Sequence, residues 1–373
     1  MEYATKEGTF AYLKQFKDYS KDFYRFEGEA FVSSLGLGTF RKEPYREENY
    51  IVNYKDSIKT AVLNGINHID TAINYRYQVS EEEIGEALSE LFSENKVSRD
   101  QLFITSKAGF LPLEFPFPEN PYQWIEKNVL DNDLASKDEI IIDQHCMSPN
   151  YLRWSVLKSL QNLGLKTLDV VYLHNPETQL GYVDQKTFKK RIKKAFELFE
   201  KMVQEKKIRS YGIASWNAFL YEEGHTEYIS LKEMVEIAVE VGGKDHHFRY
   251  VQSPYNIAKT QAYTYSNQQG PDGKYYTLMQ VLHGYGLNMV ASSSLLQMNL
   301  FKGKFDMQIS RALGTQELTD VGTALQFARM GNVVSALFGA VDPQHVEDNL
   351  LLAYVPNASA QAMSEVFGKT NAV

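Results

Sequence analysis

Four side chains able to move or steer a proton fall at matching places along the sequence. In "GINHIDTAINY" (65–75), Asp70 closes a short apolar run and Tyr75 follows five positions later. Lys107 ends the run "FITSK", and His174 ends "LDVVYLH". A phenol with an ordinary pKa of ~10 is a poor acid at neutral pH. An ammonium beside it stabilises the phenolate and lowers that value, and a carboxylate paired with the ammonium keeps it charged and in place. On that reading Tyr75 is a general acid, Lys107 its tuner and Asp70 the partner of the lysine. A neutral His174 hydrogen-bonds a substrate oxygen and orients it. Such a set protonates an oxygen as negative charge develops there, which suits carbonyl reduction if another group delivers the hydride. Each residue alone has a plainer reading: Asp70 as a turn cap, Lys107 reaching to a rim, His174 as a satisfied core histidine, Tyr75 as one of 24 tyrosines. Their coincidence at the same end of consecutive apolar runs favours chemistry.

Those runs are part of a longer series. "SSLGLGTF" (33–40), "GINHIDTA" (65–72), "LFITSKA" (102–108), "LDVVYLH" (168–174), "IRSYGIAS" (208–215), "RYVQSPY" (249–255), "LNMVASSS" (287–294) and "VVSALFGA" (333–340) are short and rich in β-branched and aromatic residues. That is the signature of strands buried on both faces. Amphipathic segments separate them. "VSEEEIGEALSELFSEN" offers Ser80 and Glu83 at capping-box spacing and sets Ile84, Leu88 and Leu91 on one face. "SPNYLRWSVLKSLQNLG" opens at Ser148 with Pro149 in the first turn and is stopped by Gly164. Further helices are expected at about 186–206, 228–241, 275–285, 316–330 and 343–354. Eight strands, each followed by a helix, predict an α/β single-domain chain over residues 1–373, a closed (β/α)8 TIM barrel. A doubly wound open sheet is the alternative. In a barrel the catalytic side chains sit at the C-terminal strand ends, where these four fall.

Two segments stand outside the repeat. Residues 1–30 form an N-terminal extension, expected to cap the barrel base. Residues 109–147 form a long loop insertion after strand three, rich in Pro and aromatic residues, expected to act as a lid or pocket wall on the catalytic face.

Composition narrows the class. With 373 residues, 43 % hydrophobic and 23 % charged, the chain can bury a sizeable core. A formal charge of -8 without like-charge blocks argues against a nucleic-acid partner. The basic stretch "FKKRIKKAFELFEKMVQEKKIR" has apolar residues at helical spacing, so its lysines read as the solvated face of a helix. Cys146 is the only cysteine, which rules out an intrachain disulfide and argues against a thiolate metal site. No apolar h-region opens the chain and no window approaches the ~18 apolar residues of a membrane span. The expectation is a cytoplasmic protein with a small-molecule carbonyl or alcohol substrate, no membrane and no metal. "DQHCM" and "DHHF" lie away from the strand ends, so a metal-dependent hydrolase reading finds no support there.

From about Ser33 to Asn349 the sequence resembles the aldo-keto reductase family. "GINHIDTAINY" is similar to that family's Asp-Thr-Ala…Tyr motif, "FITSKAG" to its lysine strand and "LGLKTLDVVYLHNPE" to its histidine strand. The resemblance implies an NAD(P)H-dependent oxidoreductase acting on aldehydes or ketones, with the nucleotide lying across the barrel mouth and no Rossmann domain. It places the catalytic tetrad at Asp70, Tyr75, Lys107 and His174. It also places Thr39 and Phe40 near the nicotinamide and substrate, Ser215 and Gln252 at the carboxamide, Ser293 and Leu295 along the pyrophosphate, and Asp348 and Asn349 at the adenine. A monomer is the state it suggests.

The sequence departs from that pattern in places. An ungapped match sets Ala214 and Ser215 where the family usually has Ser and Asn, and Ser292 where an aromatic often stacks on the nicotinamide. Many members carry a Lys or Arg near the 2′-phosphate of NADP, but residues 330–349 contain neither, with Gly339, Val341 and His345 at the relevant positions. Either Lys302, Lys304 or Arg311 reaches in, or NADH is accepted and the preference for NADP is reduced. The intact tetrad favours an active carbonyl reductase or alcohol dehydrogenase. The altered carboxamide and stacking positions leave a nicotinamide-binding sensor or regulatory subunit as the alternative. Phe40, Phe110, Phe115, Tyr122, Trp124 and Trp216 are the candidates for an aromatic substrate pocket.

Overall fold

Each of the eight apolar runs supplies one strand, and the strands close into a parallel barrel in chain order. The structure, a computed structural model, describes residues 2–41, 52–302 and 307–370. The strands are β1 (Leu35–Gly38), β2 (His68–Asp70), β3 (Phe103–Ala108), β4 (Leu168–His174), β5 (Ile208–Ala214), β6 (Phe248–Pro254), β7 (Asn288–Ser292) and β8 (Val333–Phe338). Closure settles the choice against an open doubly wound sheet. The register sets Gly38 opposite Asp70, Asp70 opposite Thr105, Lys107 opposite Tyr172, His174 opposite Ala214, and Ala214 opposite Gln252. The polar strand ends thus form one rim.

The outer helices are α1 (Lys55–Leu63), α2 (Val79–Ser93), α3 (Pro149–Asn162), α4 (Gln185–Gln204), α5 (Leu231–Gly242), α6 (Leu278–Gly284), α7 (Asp320–Ala328) and α8 (Pro343–Leu350). Helix α4 shows why they pack. Phe188, Ile192, Ala195, Phe196, Phe199 and Met202 recur at helical spacing and are buried against the barrel. Each large side chain so buried contributes about 1.5–3 kcal/mol of transfer free energy. Lys189 and Lys193, on its outer side, reach Glu233 and Glu240 of α5 at 2.6 and 2.5 Å. Helix α3 starts with Ser148 as its cap and Pro149 in its first turn, and Gly164 follows it at φ 63°.

Two helix starts differ from the sequence expectation. Ser80 and Glu83 do not form a capping box. Helix α2 already begins at Val79, Ser80 Oγ donates to the Thr39 carbonyl (3.2 Å), and Glu83 is taken by Arg76. The cause is the turn before it, where Arg76, Tyr77 and Gln78 all have positive φ and no capping residue precedes the helix. Before α6, Tyr275–Thr277 pairs with Ser266–Gln269 as a two-stranded ribbon, so the helix starts only at Leu278, capped by Thr277 with Gln280.

Residues 24–33 cover the base of the barrel as a hairpin, Tyr24–Phe26 against Phe31–Ser33. Ala4, Ala30 and Val32 join Phe103, Val170, Tyr172, Tyr250 and Val290 in the apolar barrel interior. Polar bonds fasten this floor. Ala4 N donates to Asp169 Oδ1 (2.8 Å), Arg209 NH2 meets Glu27 Oε1 (2.9 Å), the Tyr250 hydroxyl donates to Glu27, and Asn288 Nδ2 donates to the Glu27 carbonyl (3.1 Å). Among the described residues no helix is long and apolar enough to cross a membrane.

Candidate active site

Thr105 and Lys107 alternate by two along β3, so both point into the barrel. The register puts them beside Asp70. Lys107 Nζ lies 2.5 Å from Asp70 Oδ1 and donates to the Thr71 carbonyl at 2.8 Å. The second carboxylate oxygen, Asp70 Oδ2, accepts from Thr105 Oγ1 (2.8 Å) and from Gln252 Nε2 (2.9 Å). The lysine ammonium sits 4.8 Å from the centroid of the Tyr75 ring, and the Tyr75 and His174 rings are 5.9 Å apart. All four predicted catalytic side chains are buried and adjacent. Thr105 completes the carboxylate's shell and was not singled out in the sequence, because a threonine inside an apolar strand carries no signal of its own.

Electrostatics modify one expectation. Burial pushes the Tyr75 phenol up, Lys107 pulls it down, and the balance stays above the ordinary tyrosine value. The lysine therefore limits the rise instead of lowering the pKa outright. Burial also opposes the charge on Lys107, but Asp70 and Tyr75 outweigh it and hold the ammonium above its usual range. His174 is pushed well below the usual histidine value by burial, then by Lys107 and His145, so its ring is neutral. Its Nδ1 has no partner among the described residues.

Of the expected lid or pocket wall, the insertion at 109–147 supplies a small part of the wall. Among the cavity-lining residues it contributes only Phe110; Phe115 and Tyr122 are solvent-exposed, and Trp124 packs into the outer core. Instead it braces His174 from behind. His145 Nε2 donates to the His174 carbonyl (2.7 Å), and its Nδ1 accepts from Gln179 Nε2 (2.9 Å), a pairing that fixes the tautomer. Arg191 on α4 donates to Gln179 Oε1. Burial pushes His145 down to about 4, so it stays neutral as that pairing requires. The Phe110 ring stands edge-on between His145 and His174, at 5.0 and 4.9 Å. Gly109 makes the approach possible. At φ 147° it has no side chain, and a Cβ there would lie 2.9 Å from both His145 Nε2 and the His174 carbonyl. The insertion also touches the turn after Tyr75, where Gln78 Nε2 donates to the Leu113 carbonyl (2.6 Å) and Tyr77 packs on Phe117 (5.1 Å). Arg76 anchors that turn through a buried fork on Glu83, at 2.6 and 3.2 Å.

Above the tetrad opens a cavity of about 650 Å³. Asp70, Tyr75 and His174 reach it, and so do Phe40, Ser215, Gln252, Ser293 and Leu295 of the predicted nucleotide set. Lys107 lies beneath it. Thr39 does not line it; fully buried, its hydroxyl bonds Thr71 Oγ1 (2.9 Å). Asp348 and Asn349 sit on α8, away from this cavity. Ser215 is partly committed, since its hydroxyl donates to Glu177 (2.9 Å) and accepts from Ala218 N (2.9 Å). Ser292 lines the wall as a small polar residue, and Arg41 and Gly339 stand at the same mouth. Lys304 and the side chain of Lys302 lie outside the described residues, and Arg311 does not line the cavity.

The donor set fits the nicotinamide end of a dinucleotide. With Nε2 on Asp70, Gln252 keeps Oε1 as an acceptor for a carboxamide. The Ser292–Leu295 turn, with Ser293 at φ 52°, brings hydroxyls to the cavity wall beside it. Among the described residues no group of three or more His, Cys, Asp and Glu side chains is placed to hold a metal ion. In particular His145 of "DQHCM" is spent on the brace, and His247 Nδ1 pairs with Glu200 Oε2 at 2.7 Å.

Comparison with known proteins gives a consistent result. A model described as the aldo/keto reductase family matches residues 34–241, more than half of the chain. The sequence is 27% identical over 189 residues to glyoxal reductase of Bacillus subtilis, covering 51% of this chain and 48% of that one. It is 24% identical over 200 residues to aldose reductase C of Dictyostelium discoideum, covering 50% and 49%. The chain thus spans about half the length of these curated relatives. A crystal structure of an aldo/keto reductase from Klebsiella pneumoniae in complex with NADP and acetate superposes with a TM-score of 0.59 at 19% identity, covering 94% of this chain and 95% of that one. That likeness speaks to the barrel fold.

Proposed function

The chain belongs to the aldo/keto reductase family, and from that premise we propose that it reduces an aldehyde or ketone to an alcohol, or runs the reverse, with a nicotinamide nucleotide as hydride carrier. The observation that carries this reading is the meeting of Tyr75, the Lys107–Asp70 pair and neutral His174 at the floor of one cavity that Gln252 and Ser292–Leu295 also line. When bound, a reduced nicotinamide supplies the hydride; Gln252, Ser293 and Leu295 are the residues that would hold it.

The side chains of this protein do the rest. A substrate carbonyl seated between Tyr75 and His174 has its oxygen oriented by the neutral imidazole. Tyr75, kept protonated at neutral pH by its raised pKa, gives its proton to that oxygen as charge develops. The Lys107 ammonium over the ring stabilises the phenolate left behind, and Asp70 keeps that ammonium charged and placed. Thr105 and Gln252 hold Asp70 in turn. Burial of the set excludes water from the transfer.

NADH is accepted alongside NADPH in this reading, since residues 330–349 hold no Lys or Arg for a 2′-phosphate. A monomer in the cytoplasm acting on a small-molecule carbonyl completes it. The test is titration of the purified protein with each nucleotide by tryptophan quenching, followed by a carbonyl panel with Tyr75→Phe as control. Expected are saturable binding of both nucleotides, turnover, and a loss of roughly 10²–10⁴ in rate in the variant. Selectivity for NADPH beyond ~100-fold, about 2.7 kcal/mol, overturns the nucleotide assignment. The commitment of Ser215 to Glu177 favours one other reading, a nicotinamide-binding sensor, in which Tyr75→Phe leaves the biological effect intact.

A further inference from the structure

Trp216 stands in the cavity wall with 44% of its surface open, and among the described residues no aromatic ring stacks on it. Phe40 and Phe110 line the same cavity but rest edge-on against Tyr75 and His174, at 5.1 and 4.9 Å. The exposure of Trp216 is not looseness, because both of its polar ends are tied. Its Nε1 donates to Asn175 Oδ1 at 3.0 Å, with the Asn175 amide turned so that Nδ2 also donates to the Ala214 carbonyl at 3.1 Å. Its backbone N–H donates to Glu177 Oε1 at 2.8 Å, the oxygen that also accepts from Ser215.

Both ties come from "NPE", the three residues after His174. Asn175 turns the chain at φ 45°, and Glu177 is left 5% exposed with Oε2 unpartnered and no ion pair among the described residues. Burying a carboxyl without a cation is costly, and Glu177 does nothing for the tetrad. What it holds is the Ser215–Trp216 corner. A rigid aromatic with an open face in the wall of the cavity that holds Tyr75 and His174 is an element able to sort substrates by shape.

We propose that Asn175 and Glu177 are positioning residues for Trp216, and that Trp216 is the wall selecting carbonyl substrates with a flat apolar group next to the carbonyl, such as aryl aldehydes. This rests on the reductase reading of the same cavity.

The experiment compares benzaldehyde with propanal, at saturating nucleotide, for the unaltered protein and for Trp216→Ala, Glu177→Ala, Asn175→Ala and Glu177→Gln. Expected in Trp216→Ala is a rise in the benzaldehyde KM of about tenfold, the scale of one lost aromatic contact. The propanal KM rises less, so the preference for benzaldehyde over propanal in kcat/KM falls by about that factor. Glu177→Ala and Asn175→Ala shift the tryptophan emission and move the benzaldehyde KM in the same direction. Glu177→Gln, which keeps an acceptor oxygen for Ser215 and Trp216, restores both. Equal changes for the two aldehydes, an effect confined to nucleotide affinity, or an unshifted emission in both alanine variants overturns the proposal. If the unaltered protein turns over neither aldehyde with either nucleotide, the reductase reading fails. Tryptophan quenching by benzaldehyde alone then decides the wall separately: quenching lost in Trp216→Ala supports it, and quenching retained or never seen overturns it.

Discussion

Gln252 Nε2 donates to Asp70 Oδ2 at 2.9 Å, so the residue proposed to hold the nicotinamide also fixes the carboxylate that pairs with Lys107. On the proposed reading, nucleotide grip and proton chemistry are joined through one side chain. Gln252→Leu should weaken nucleotide binding by about tenfold, the scale of one hydrogen bond, and also lower kcat at saturating nucleotide. Fluorescence titration paired with saturation kinetics separates the two effects. An unchanged kcat would show that Asp70 keeps its geometry without Gln252.

Lys107 and Asp70 form a buried pair whose members are only 1% and 4% exposed. Lys107→Met leaves Asp70 buried without its cation and should cost about 3–5 kcal/mol of stability. The double variant Lys107→Met/Asp70→Leu should recover much of that while staying inactive. Denaturant midpoints of the two variants check this, and a double variant no more stable than the single one would contradict it.

His145 holds His174 by its backbone carbonyl. His145→Ala removes that donor and strands Gln179, for an expected loss of about 1–3 kcal/mol and a lower kcat with nucleotide affinity retained. Gly109→Ala should do the same by a steric route, because its Cβ meets the same two groups at 2.9 Å. Thermal melts and kcat for both variants, measured beside nucleotide titrations, give the comparison. Full activity in Gly109→Ala would mean that the brace tolerates displacement.

Glu81 lies buried between α2, β3 and α3, bonded by Ser106 (2.6 Å) and Asn162 (3.1 Å), and burial pushes it up to about 7. Its folded pKa exceeds the ordinary unfolded value of about 4.3, so between those values the folded state holds the extra proton. Its contribution to stability is present below that window and is lost as pH rises through about 7. Glu81→Gln lacks this loss. The variant should gain on the unaltered protein as pH increases from 4.5 to 8, and melting temperatures across that range test it. A constant difference would place the titration elsewhere.

The meeting of Asp70, Tyr75, Lys107 and His174 was legible in the sequence for a physical reason. Asp70, Lys107 and His174 end apolar runs, and a barrel gathers strand ends on one rim. Its partners were hidden because each depends on register or on a long-range approach. Thr105 reads as an ordinary strand residue until pairing sets it against Asp70. His145, in "DQHCM", looks like loop sequence, and only the return of the insertion beneath β4 turns it into a donor for His174. Ser80 and Glu83 matched a local capping rule that a left-handed turn overrides. Asn175 and Glu177 follow the histidine directly, yet their target lies on β5 and its loop, about 40 positions on.

The hairpin that floors the barrel also sets a timetable. Glu27 finds its partners at Arg209, Tyr250 and Asn288, which lie 182, 223 and 261 positions further along the chain. Such contacts can form only after most of the polypeptide has been synthesised, and pairings this distant make folding slow. A nascent chain that has not yet reached Asn288 lacks the last of these fastenings, so the floor laid down by the first residues is completed only when strand β7 has been made.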